Sequence, residues 1–297
     1  MSLNSFLFHV SILFYRYRSI QLTHTIVCLY NVSFYSHFSC RKVFTFILQS
    51  IGYFAQGNTE KGIKLYLEAA LTADKLGTKC ESQEEKETYG TIANEFFSLS
   101  FSVYEQQSHN NIPIQYRCVM SMIGALTSCR SIAKQDYEGL IMTVSKFAAK
   151  MSKQSEQCEM VTRCSHLFYV LDNDGTTVVY SNAQRSLECL QRALKLANAC
   201  TTADVSNLKL FVDLLDIYLY FFEKNNPLIT GNYITGLAAL IKEHSNGIPM
   251  QHGGGAMSAA VEAKSQFIHI VRDIKAKKGK SETAEKFGAI DVSAIET

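Results

Sequence analysis

Cys164 and His166 are the first pair to weigh as chemistry, because a thiol whose proton an imidazole can take becomes a thiolate nucleophile. Two residues apart on a helix, however, their side chains point about 200° away from each other, so they do not readily meet. His166 lacks companions for a metal centre: of the sequence's other histidines, His109, His244 and His252 fall on separate helices or loops, whereas a metal needs several ligands converging on one point. Nine cysteines stand at 28, 40, 80, 118, 129, 158, 164, 189 and 200, with no C-x-x-C pair among them. An odd number scattered through apolar segments reads as reduced cytosolic thiols that pack as small hydrophobes. Gly253-Gly254-Gly255 precedes an expected helix, where exposed amides can hold a phosphate, but no strand comes before it and no lysine follows at the motif spacing. It reads as a flexible loop. The Walker, nucleophile-elbow, dinucleotide and zincin signatures do not occur. The expectation is a protein with no catalytic residues, no metal, no cofactor and no small-molecule substrate.

Two tracts suit binding better than catalysis. Tyr218-Leu219-Tyr220-Phe221-Phe222 would surround a helix axis, so it must pack on two neighbours or face a partner. Lys275, Lys277, Lys278 and Lys280 could touch phosphate head groups, but a solvated, frayed helix end explains them as well. With 29 basic and 27 acidic residues, the net charge of +2 gives no field that calls for nucleic acid.

The elements that position these groups are helices. Only three prolines occur in 297 residues, and 47% of the chain is hydrophobic, enough to bury a sizeable core. From Lys42 onward apolar residues recur three and four apart, as in Leu187, Leu190, Leu194 and Ala197. This pattern places helices at about 42–55, 59–77, 84–107, 113–133, 136–151, 154–171, 182–201, 203–225, 228–245 and 255–277. Thr59 is the expected cap of the second, and Thr176 to Tyr180 reads as a loop, being too short for a sheet. Short connectors make successive helices antiparallel neighbours. The expected class is all-α: an α-solenoid of HEAT-like or tetratricopeptide-like helix pairs over residues 41–278. A flexible polar tail is expected over 279–297. Residues 1–40 carry no acidic residue and read as an atypical, poorly packed extension, with no run long enough to span a membrane.

Four strings carry a resemblance. Leu187-Glu188-Cys189-Leu190-Gln191-Arg192-Ala193-Leu194-Lys195-Leu196-Ala197-Asn198-Ala199-Cys200 looks like a hallmark helix of the vacuolar protein sorting-associated protein 35 family, the large retromer subunit. Gly62 to Leu71 followed by Lys75-Leu76-Gly77 resembles an earlier helix of that family, and Ile217 to Lys224 its aromatic helix. Cys164-Ser165-His166-Leu167-Phe168-Tyr169 is similar to its Cys-x-His-Leu-Phe-Trp block, with Tyr169 in place of tryptophan. The resemblance spans about Lys42 to Ser245, while residues 1–40 resemble nothing in the family and residues 246–297 diverge from its tails. It implies a scaffold, not an enzyme, whose C-terminal half wraps a small phosphoesterase-like subunit, vacuolar protein sorting-associated protein 29. His166, Phe168 and Tyr169 are the expected partner-binding residues. The location implied is cytoplasmic and peripheral on endosomal membranes through the complex, in return of cargo to the Golgi or the cell surface. The family's Pro-Arg-Leu-Tyr-Leu motif is missing, so engagement of the arrestin-like subunit is not expected. An unrelated tetratricopeptide-like peptide adaptor is the competing reading.

Overall fold

A computed structural model describes residues 40–107, 111–172, 174–246, 248, 256–293 and 295. The expectations for residues 1–39 and for Gly253-Gly254-Gly255 fall outside the described residues. The chain divides into two compact units, 1–142 and 143–297. Both are built of helices, as the all-α reading requires.

In the first unit α1 (Cys40–Ala55), α2 (Thr59–Gly77), α3 (Gln83–Gln107) and α4 (Ile112–Ser128) follow one another, and α5 (Lys134–Ala149) crosses the division. Helix α2 packs against α1, α3 and α4. Its buried face is made of Ile63, Tyr66, Leu67, Ala69, Ala70 and Ala73, spaced three and four apart. Asn58 caps it, accepting the Lys61 N–H at 3.1 Å, so the cap lies one residue before the expected Thr59. Helix α4 stops at Ser128 instead of running to 133: the Cys129 N–H turns back to the Leu126 carbonyl, and the next two amides, of Arg130 and Ser131, are taken by a side chain. The Asp74 carboxylate, 2% exposed, accepts the N–H of Arg130 at 2.9 and 3.0 Å and that of Ser131 at 2.7 Å. Those amides no longer need helical carbonyls.

The second unit holds α6 (Gln154–Cys164), a short 3-10 turn (Ser165–Phe168), strands β1 (Tyr169–Leu171) and β2 (Val178–Ser181), then α7 (Ala183–Ala203), a second 3-10 turn (Val205–Asn207), α8 (Leu208–Glu223), α9 (Gly231–Ser245), α10 (Ala256–Lys278) and α11 (Ala284–Gly288). Helix α8 is the centre: it packs on α7, α9 and α10, and Phe211, Val212, Leu214, Leu215 and Phe221 are all fully buried. A helix with so wide an apolar face needs several neighbours, while Lys209, Asp213, Asp216 and Glu223 leave a narrow polar stripe.

Two expectations are corrected here. The helix expected over 154–171 ends at Cys164, and the residues read as a loop form half of a ribbon. Tyr169 pairs with Ser181, Val170 with Tyr180 and Leu171 with Val178, with an irregularity between Val170 and Leu171. The β-branched run Thr176 to Val179 favours this, and α8 supplies the support that so short a ribbon lacks alone.

The segment from residue 279 is not a flexible polar tail. Phe287, Ile290, Val292 and Ile295 are at most 6% exposed, and Phe222 meets the Phe287 ring edge-on at 5.7 Å. Widely spaced apolar residues among polar ones hide this docking from any periodicity. The contact is close at Gly231, where an added Cβ would lie 2.5 Å from the Ala289 carbonyl oxygen. Gly231→Ala is expected to lower stability by about 1 to 2 kcal/mol through overpacking, read as the urea midpoint. An unchanged midpoint would show that residues 284–295 yield without cost.

Candidate partner-binding site

His166, Phe168 and Tyr169 are brought together where α6 gives way to the 3-10 turn and the ribbon. Phe168 is 3% and Tyr169 5% exposed, while His166 is half-buried. Asn182, the cap of α7, donates its N–H to the Phe168 carbonyl at 2.7 Å and so closes the base of the ribbon. The imidazole lies at a tilt against two rings from α8, with centroid distances of 5.1 Å to Tyr220 and 4.9 Å to Phe221. Tyr169 meets Phe221 edge-on at 5.9 Å, and its hydroxyl donates to the Lys224 carbonyl at 3.2 Å. The aromatic run in α8 therefore does serve several neighbours: Tyr218 stacks on Tyr233 of α9, Tyr220 and Phe221 carry His166, and Phe222 receives Phe287.

Burial, helped by the nearby Arg163 charge, lowers the His166 pKa to about 4, so the ring is neutral at neutral pH. It can offer one N–H and one acceptor nitrogen, but no charge. Cys164 is 1% exposed, and burial pushes its thiol far above the ordinary range. A thiolate nucleophile is therefore not available beside His166 at neutral pH. A thiol-specific reagent applied to the native chain at pH 7 should leave Cys164 unmodified, while half-buried Cys80 reacts before it. Peptide mapping checks this, and early labelling at Cys164 would reopen the nucleophile reading.

Two lysines of the basic tract near the end of α10 are engaged with protein groups. Lys275 donates to the Ile295 carbonyl at 2.8 Å, and Lys277 pairs with Glu223. Among the described residues no group of His, Cys, Asp or Glu could hold a metal ion, and no helix is long and apolar enough to cross a membrane.

The family model for vacuolar protein sorting-associated protein 35 matches residues 6–244. The chain belongs to the vacuolar protein sorting-associated protein 35 family. It is 29% identical to the protein of that name from Schizosaccharomyces pombe over 212 residues, 71% of this chain and 24% of the relative. It is 30% identical to vacuolar protein sorting-associated protein 35B of Arabidopsis thaliana over 242 residues, 79% of this chain and 28% of the relative. The protein 35 of Dictyostelium discoideum is 24% identical over 202 residues, 68% of this chain and 24% of the relative. The chain thus spans about a quarter of the length of the curated relatives it matches.

Membership in the vacuolar protein sorting-associated protein 35 family replaces the reading as an unrelated adaptor. The likeness also starts much earlier than Lys42, correcting the expectation that residues 1–40 resemble nothing in the family. Sequence reasoning had placed the string Cys164 to Tyr169 on a helix, and it missed Lys224 and the exposed Val178 and Val179 as neighbours of the same site. The only available signal was the β-branched run itself.

Proposed function

We propose that this chain acts as a C-terminal scaffold portion of the retromer large subunit, binding the phosphoesterase-like subunit, vacuolar protein sorting-associated protein 29, through the surface around His166. The observation that carries this reading is the neutral, half-buried imidazole held on Tyr220 and Phe221 at the place where the family string Cys164 to Tyr169 leaves its helix. An interface centre wants a rigid aromatic group that supplies area together with one directed hydrogen bond. Phe168 and Tyr169 belong to this surface as its floor, fixing the turn that presents His166.

The mechanism is binding energy and geometry: no bond is broken, and the chain contributes a stiff surface on which the complex assembles. Its place is cytoplasmic and peripheral on endosomal membranes, through the other members of the complex, in return of cargo to the Golgi or the cell surface. Calorimetric titration of the whole chain with the phosphoesterase-like subunit tests the reading. A one-to-one complex with a dissociation constant of about 1 μM or tighter is expected. No heat and no co-elution at a concentration of about 100 μM would overturn it.

A further inference from the structure

We infer that Lys224 is a positioning residue: its ammonium clasps the turn of the β-ribbon and thereby fixes the 3-10 turn that presents His166 to a protein partner. This rests on the binding surface proposed above, but its structural part stands on separate observations.

The ribbon has only three residues in one strand and four in the other, and two-stranded ribbons of this size do not hold themselves in water. Its first strand is buried, whereas Val178 and Val179 of the second are 42% and 49% exposed. The far end is a tight turn. The Gly175 N–H donates to the Asp172 carbonyl at 2.8 Å, the Asp172 N–H to the Thr177 carbonyl at 2.8 Å, and the Thr176 N–H to the Asp174 carboxylate at 2.9 Å. From the C-cap of α8, Lys224 Nζ reaches across to donate to the Gly175 carbonyl at 2.9 Å. The Lys224 carbonyl accepts the Tyr169 hydroxyl at the other end of the ribbon. One residue therefore holds both ends.

Gly175 fits this clasp twice over. Its φ of +69° favours glycine, and a Cβ there would lie 3.1 Å from Lys224 Nζ. The last turn of α8 carries Tyr220 and Phe221 beneath His166, so the ribbon, the 3-10 turn and the imidazole platform are all tied to one short stretch, residues 220–224. Loss of the ammonium frees the turn and leaves the platform rings in place.

The test compares whole-chain Lys224→Met and Lys224→Arg with the parent. Hydrogen exchange at Asp172, Gly175 and Val178 to Ser181 should accelerate at least about tenfold in Lys224→Met, with α7 and α9 amides unchanged. Affinity for the phosphoesterase-like subunit should fall about tenfold. Lys224→Arg, which keeps a donor of similar reach, should recover most of both. Unchanged exchange in Lys224→Met overturns the clasp, and faster exchange with unchanged affinity overturns its positioning role. If the parent chain does not bind that subunit at all, the proposed function fails, and the presentation role falls with it. Exchange then decides the clasp alone.

Discussion

Replacing Asp74 with alanine is expected to lower the free energy of unfolding by about 3 to 5 kcal/mol, the largest loss from any single change proposed for this protein. The carboxylate is 2% exposed and accepts three donors: the Arg130 N–H through both oxygens, and the Ser131 N–H at 2.7 Å and hydroxyl at 2.8 Å through Oδ1. Each buried donor left without an acceptor costs about 1 to 3 kcal/mol, and alanine removes the acceptors without filling the space. The loop after α4 then has to find water or refold as a longer helix. Asp74→Asn keeps one acceptor oxygen, so its loss should be roughly half. Ser131→Ala removes one hydroxyl bond and should cost about 1 kcal/mol. Urea unfolding followed by helical circular dichroism measures all three. A loss below about 1 kcal/mol for Asp74→Ala would mean that the loop amides are readily solvated.

His166→Arg is expected to weaken binding of the phosphoesterase-like subunit at least about thirtyfold while helicity stays unchanged. The native ring is neutral and lies against Tyr220 and Phe221, so it brings no charge to be desolvated. A guanidinium is larger and permanently charged. Covering it without a partner charge costs roughly 2 to 5 kcal/mol, more than enough for the expected loss. His166→Gln separates charge from shape: it is neutral, keeps a donor and an acceptor, and should bind within about fivefold of the parent. Calorimetry on variants with parental circular dichroism decides the matter. If His166→Arg binds like the parent, the imidazole is not at the interface.

Much of the helical layout was legible because it depends on local rules. Helix α2 spans Thr59–Gly77 as its apolar spacing indicated, and α7 starts where Asn182 can cap it by accepting the Arg185 N–H at 3.1 Å. In α7 the buried stripe runs through Leu187, Leu190, Ala193 and Ala197, close to the one read from the sequence, with Ala193 taking the place given to Leu194. The aromatic run in α8 could be recognised as needing more than one neighbour, since five large residues in succession cannot share one helix face.

By itself, then, the sequence determined the class, most helix positions, the family strings and the absence of familiar catalytic signatures, all of which rest on residue type and spacing along the chain. Only the tertiary structure decided that α6 stops at Cys164, that Tyr169–Leu171 pairs with Val178–Ser181, and that Phe287, Ile290, Val292 and Ile295 are buried within the second unit. It also decided that Asp74, which looks like an ordinary helix-surface charge, is buried to hold a loop 56 and 57 residues away. The physical reason is common to all of these. The stabilising groups are the rings of α8 around His166, the Lys224 ammonium over Gly175, and the amides of Arg130 and Ser131 around Asp74. They come from residues distant in the chain, and a short ribbon, an apolar-poor tail or a buried carboxylate is favourable only once those partners are in place.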